Sequence, residues 1–185
     1  MAFPLTHGKR KMFRLLLIAA ASLALTGCAQ FNFLAPNPVE PDPELAQTGL
    51  VLTGEGVQKF QCTSDKNGYW LRFIAPEVTL RDAAGRIVAY QGADHGFVAP
   101  DRSRLKAKIE RSSPGRTEND LKDLLYAVTR TGKVQKGALT PYRWVKRDQA
   151  TGGIPTVQCS RSELGALISV RFTARYTFYT EKPKK

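Results

Sequence analysis

The stretch from Ile168 to Tyr179 restricts the fold more than any other. Val170, Phe172, Ala174, Tyr176 and Phe178 alternate there with Arg171, Thr173, Arg175 and Thr177. A period of two puts the two sets on opposite faces of a strand, whereas a helix would scatter both around its circumference. A strand with one apolar face must bury it against other strands, and from Gly49 onward the chain supplies them. Val57–Cys62 and Tyr69–Ile74 form a first pair, joined through Ser64-Asp65-Lys66-Asn67-Gly68, where Asn-Gly offers the positive φ angles of a tight hairpin. Val78–Arg81 and Ile87–Tyr90 follow across an Asp82-Ala83-Ala84-Gly85 turn, and Arg104–Glu110, Leu124–Thr131 and Pro141–Lys146 come next. Two segments could be helical instead: Glu118–Leu125, and Ser160–Leu167, a short helix or turn in which Ser160 and Glu163 are spaced as a capping box. The pattern predicts an all-β fold, a single antiparallel β-sandwich or barrel over residues 49–180.

The N-terminus reads differently. Lys9, Arg10, Lys11 and Arg14 precede an apolar run from Leu15 to Leu25, the basic and apolar regions of a signal peptide. The run is too short for a membrane span, which needs roughly 20 residues. It ends in Leu25-Thr26-Gly27-Cys28, which resembles the bacterial lipobox. That resemblance implies cleavage after residue 27, lipidation of Cys28, and attachment to a membrane facing the periplasm. Ala29 and Gln30 lack the aspartate that holds such proteins at the inner membrane, so the outer membrane is the expected location. Residues 28–48 carry Pro36, Pro38, Pro41 and Pro43 with Glu40, Asp42 and Glu44. Spaced prolines favour polyproline II from Phe31 to Thr48, so that stretch is expected to be an extended tether holding the domain up to about 50 Å from the lipid at roughly 3.1 Å per residue. Residues 181–185 read as a basic tail.

With Cys28 assigned to lipid, Cys62 and Cys159 remain as an even pair in an oxidising compartment, and a disulfide is the expected state. The alternative is a free catalytic thiol, for which His95 would be the base.

Beyond the anchor the chain resembles a known family. Gly56-Val57-Gln58-Lys59-Phe60-Gln61-Cys62, Phe73-Ile74-Ala75-Pro76-Glu77-Val78-Thr79-Leu80 and Asp82-Ala83-Ala84-Gly85-Arg86 resemble the opening of the uncharacterised secreted family called domain of unknown function number 3455. Gly152-Gly153-Ile154-Pro155, Cys159 and Tyr176-Thr177-Phe178-Tyr179 resemble its closing motifs. The resemblance spans Thr53 to Tyr179 and implies a secreted β-rich domain with paired cysteines and no established activity. Where the family carries a histidine and a tryptophan ahead of Asp-Gly-Ser, this chain has Gln91, Phe97 and Asp101-Arg102-Ser103.

Several chemistries lack their residues. A zinc site needs three or four ligands, and His95 with an oxidised cysteine pair does not supply them. There is no G-x-S-x-G, and Gly54-Glu55-Gly56 leads into a strand, not into a helix whose N-terminus could hold phosphate. No cofactor is expected. Asp94 beside His95 would need a loop to converge. Glu55, Glu77, Asp94, Asp101 and Glu110 could still meet in space, which keeps a carboxylate-dependent hydrolase or lyase acting on an envelope polymer open.

Charge is the positive signal. Without residues 1–27 the chain carries 24 basic against 16 acidic residues. Arg102, Arg104, Lys106 and Lys108 alternate with Leu105, Ala107 and Ile109, so one strand face should be cationic and the other buried. Arg171 and Arg175 offer a second basic row. The face reads either as a surface for an anionic partner, lipid headgroups or envelope polymer before nucleic acid, or as a solvated strand whose charges discourage edge pairing. Trp70, Tyr90, Tyr142 and Trp144 read as core or as a sugar-stacking platform. A structural interaction module with no small ligand is the third possibility.

Overall fold

The computed structural model describes residues 39–129 and 136–183. The strands are β1 (Ala46–Asp65), β2 (Gly68–Arg81), β3 (Ile87–Gln91), β4 (Phe97–Val98), β5 (Arg104–Ser113), β6 (Asp123–Thr129), β7 (Tyr142–Gly152) and β8 (Leu167–Glu181). Each pairs antiparallel with the next, and β8 returns to β1, closing an eight-stranded barrel. Of the two all-β architectures expected, the barrel is the one that forms. Closure rests on β1, whose length lets it pair with β2 from Thr53 to Asp65 and with β8 from Ala46 to Gln61.

Alternation sets what lies inside. Phe172, Ala174, Tyr176 and Phe178 on β8, Leu52 on β1, Val78 and Leu80 on β2, Tyr126 on β6 and Val145 on β7 fill the interior with Phe97. Phe97 packs edge-on against Tyr126, Tyr176 and Phe178. Each large apolar side chain buried this way contributes about 1.5–3 kcal/mol. Gly54 makes room for Tyr176, since a Cβ on Gly54 would lie 2.5 Å from that ring. Gln91 and Phe97 are both interior: the Tyr176 hydroxyl donates to Gln91 Oε1 at 2.7 Å.

Several expectations need correction. Tyr69–Ile74 and Val78–Arg81 are one strand, because Pro76 sits where β2 has only β1 beside it, before β3 joins at Val78. Glu118–Leu125 is not helical: Asp120 Oδ1 accepts from the Gly152 N–H at 2.7 Å, which ties the segment to β7, and Asp123–Leu125 open β6. Of the short helix or turn expected over Ser160–Leu167, the turn forms: a 3-10 turn at Arg161–Glu163 with its capping box, ended by Gly165 at φ +87° before β8 starts at Leu167. The tether boundary at residue 48 falls inside β1, and Val39 is fully buried. At the other end Glu181 belongs to β8, and the Lys182 N–H donates to the Leu45 carbonyl at 2.8 Å. Cys62 and Cys159 are disulfide-bonded, with Cα atoms 5.5 Å apart. Cys28 lies outside the described residues.

Candidate functional site

β5 carries the row that alternation singles out. Arg104, Lys106 and Lys108 are exposed on its outer face, with Leu105 and Ala107 buried within. Ile109 departs from the pattern: it is 44% exposed although it pairs with buried Tyr126. β4 pairs only with Arg104 and Leu105, so among the described residues this part of β5 has a strand on the β6 side alone, and Ile109 is left partly open to solvent. A bulge between Ile109 and Arg111 then takes Glu110 out of register and puts Arg111 opposite Leu125, on the face that Lys108 shares.

Arg102 is not part of the strand. It sits in the turn between Ala99 and Ser103 at φ +68°, the left-handed region that glycine enters without steric cost. Its neighbours fasten this corner. Asp101 Oδ1 accepts from the Ser103 N–H at 2.9 Å and the Ser103 hydroxyl at 2.6 Å, and Oδ2 accepts from the Ala138 N–H at 2.7 Å. The Ser103 hydroxyl bond, followed by those backbone bonds, holds the Asp101 carboxyl below its ordinary range. Ser103 Oγ also accepts from the Leu139 N–H at 3.1 Å, and Gly137 lies so close to Ser103 that a Cβ there would meet it at 2.4 Å. Exposed Lys136 is thereby drawn to the Arg102–Arg104 corner, a cation the strand pattern could not find. Among the described residues, Arg102, Arg104, Lys106, Lys108 and Lys136 form no ion pair. The second row does not survive as a pair, since Arg175 donates to both oxygens of Asp148, at 2.9 and 2.6 Å.

A charged network crosses the same outer wall. Lys146 on β7 is 5% exposed at its side chain and Asp148 7%; Lys146 Nζ bonds Glu40 and lies 3.1 Å from Asp148. Burial works against the Lys146 charge, but hydrogen bonds to Glu40 and Asp148 outweigh it and raise the ammonium's pKa. Burial would likewise raise Asp148, and its bonds to Arg175 and Lys146 lower it instead. The Tyr179 hydroxyl donates to Glu40 Oε2 at 2.6 Å, and burial, then that bond, push its pKa up to about 12. Arg111 Nη1 donates to the Glu40 carbonyl at 3.0 Å. Glu40 therefore straps the segment before β1 across β5, β7 and β8. Two acids and two bases cancel within this network, so they leave the charge of the basic row uncompensated.

The other candidates disperse. Tyr142 packs into the barrel against Phe178, Trp144 pairs with Tyr179 on β7's outer side, and Trp70 and Tyr90 are exposed on β2 and β3, so no single aromatic platform forms. His95 lies in a 3-10 turn at Ala93–His95, half-buried with its ring 5.5 Å from Tyr126. Glu55 and Glu77 do meet, with Tyr90, along a groove of about 390 Å³, where Glu77 is ion-paired to Lys59. Among the described residues no cluster of His, Cys, Asp and Glu could hold a metal ion. No family model, no curated protein and no solved structure matches the chain.

Proposed function

We propose that this chain is an exported lipoprotein, anchored at Cys28 to the periplasmic side of the outer membrane, whose barrel binds an anionic envelope ligand without catalysis. The observation that carries the reading is the exposed set Arg102, Arg104, Lys106 and Lys108, which form no ion pair among the described residues, beside a network whose own charges cancel. The barrel interior is filled by side chains, which directs binding to the outer wall. The bonded cysteines fit the resemblance to domain of unknown function number 3455, whose pattern implies such a pair. The test compares wild type with the variant R102Q/R104Q/K106Q/K108Q on anionic vesicles and cell-wall fragments at low salt. Weaker binding by a variant that melts like wild type is expected; equal binding would reduce the row to a solvated strand face.

A second reading, carboxylate catalysis on an envelope glycan, is favoured only by Glu55 and Glu77 sharing a groove with Tyr90. Its test is hydrolysis of envelope glycans by wild type and by Glu55→Gln, and absence of turnover by wild type would end it.

A further inference from the structure

We infer that the anionic ligand is the headgroup layer of the membrane holding the anchor, so that the outer wall of β5 lies against that membrane. The inference rests on the anionic-ligand reading above and adds the identity of the partner.

Three observations carry it. The first is where the described chain begins. Glu40 is fixed to the barrel wall at Arg111 on β5, Lys146 on β7 and Tyr179 on β8. The register runs straight from there to the row. Tyr179 pairs with Trp144, Trp144 with Ala127, and Ala127 with Lys108, all on the outer face. Three strand spacings of about 4.8 Å make that separation about 14 Å. Along β5 itself, Arg111 and Lys108 are closer still.

The second observation is the chain length between strap and lipid. Cys28 precedes Val39 by eleven residues, which span at most about 36 Å when fully extended. The free tether expected from its prolines would have let the domain turn any face to the membrane. The Glu40 strap fixes the start of the described chain, Val39 and Glu40, on the wall that carries Arg104, Lys106 and Lys108.

The third is charge. Each Lys or Arg near an anionic surface strengthens binding about fivefold at physiological salt. The row supplies several such residues with no described acid paired to them.

The experiment uses the full chain as its host processes it, purified in detergent and inserted into preformed vesicles of phosphatidylcholine, with or without phosphatidylglycerol. An amine-acylating reagent followed by mass spectrometry reads the accessibility of Lys106, Lys108 and Lys136. Lys66, in the β1–β2 turn at the far end of β1, is the internal reference. In phosphatidylglycerol vesicles, labelling of the three lysines should fall by at least about fivefold, the factor a single cation contributes, relative to neutral vesicles, with Lys66 unchanged. Raising the salt to about 1 M, where the Debye length is about 3 Å, should abolish the difference. In the variant R104Q/K106Q/K108Q, which keeps the Asp101–Ser103 corner, Lys136 should lose its protection. Equal labelling in both vesicles, with protection by soluble polyphosphate, would overturn the membrane as partner and leave the anionic-ligand reading standing. Protection by neither would overturn both. Failure to float with neutral vesicles would show that no lipid is attached and would overturn the inference on that ground.

Discussion

Removing the disulfide is the perturbation whose size follows most directly from the fold. Cys62 and Cys159 are 97 positions apart, so their bond closes about two thirds of the domain into one loop. In the chain-entropy treatment a loop of that size destabilises the unfolded chain by about 4.7 kcal/mol. The folded state should change little in C62A/C159A. The Cys62 N–H still donates to Ala166 and its carbonyl still accepts from Gly165, both at 2.9 Å, so backbone bonds keep the two segments together. The loss is therefore large against the 5–15 kcal/mol typical of a domain. With about 2.1 cal/mol/K of unfolding entropy per residue, a domain of roughly 140 residues has on the order of 0.3 kcal/mol/K, which converts the loss into about 15 °C. Circular dichroism melts of the oxidised wild type and C62A/C159A, both lacking residues 1–28, measure it. A shift below about 4 °C, near 1 kcal/mol, would contradict a chain-entropy origin and confine the bond's effect to the 153–166 connection.

Gly54→Ala should cost about 1–3 kcal/mol by overpacking, because its Cβ would fall within 3 Å of both Tyr176 and Leu80; the urea midpoint reads it. Glu40→Gln should cost about 1–2 kcal/mol, less than the 3–5 of a stranded buried charge because Asp148 remains beside Lys146, and should open residues 39–45 to protease. The same opening should depend on pH at both ends. Asp148 is lowered in the folded state, so its contribution is present above its ordinary value of 3.8 and is lost as pH falls below it. Tyr179 is raised, so its contribution is present below 10.0 and is lost as pH rises towards about 12. Arg102→Gly should leave stability within about 1 kcal/mol, since relief of the positive φ offsets the freedom glycine gains when unfolded, yet weaken binding to anionic vesicles.

Much of the fold was legible because β-strand periodicity is a local property. Ile168–Tyr179 shows its two faces whatever strand lies beside it, and Leu105 and Ala107 mark their inner side the same way. Barrel against sandwich was not legible, because a period of two says which face is buried but not which strands are neighbours. That choice lies in the register of β1 with both β2 and β8. The site was legible in part. Arg104, Lys106 and Lys108 follow the pattern, whereas Ile109 escapes it because β4 stops at two residues. Arg102 escapes it because the strand starts later. The strap was hidden by its own composition: prolines between acids suggest a free tether, and Glu40's partners Lys146 and Tyr179 are 106 and 139 positions away. Lys136 was hidden likewise, being brought in by Asp101 and Ser103, whose only local signature is an Asp-x-Ser turn.

The central claim is that the outer face of β5 recognises anions by charge. Its most direct test is the salt dependence of binding to phosphatidylglycerol vesicles by the chain lacking residues 1–28, measured for wild type and R102Q/R104Q/K106Q/K108Q. Wild-type affinity should fall steeply between about 0.1 M and 1 M salt, as the Debye length shrinks from about 10 Å to about 3 Å. The variant should bind weakly at both, on a nearly flat line. Parallel salt curves of equal affinity for the two proteins would contradict the claim.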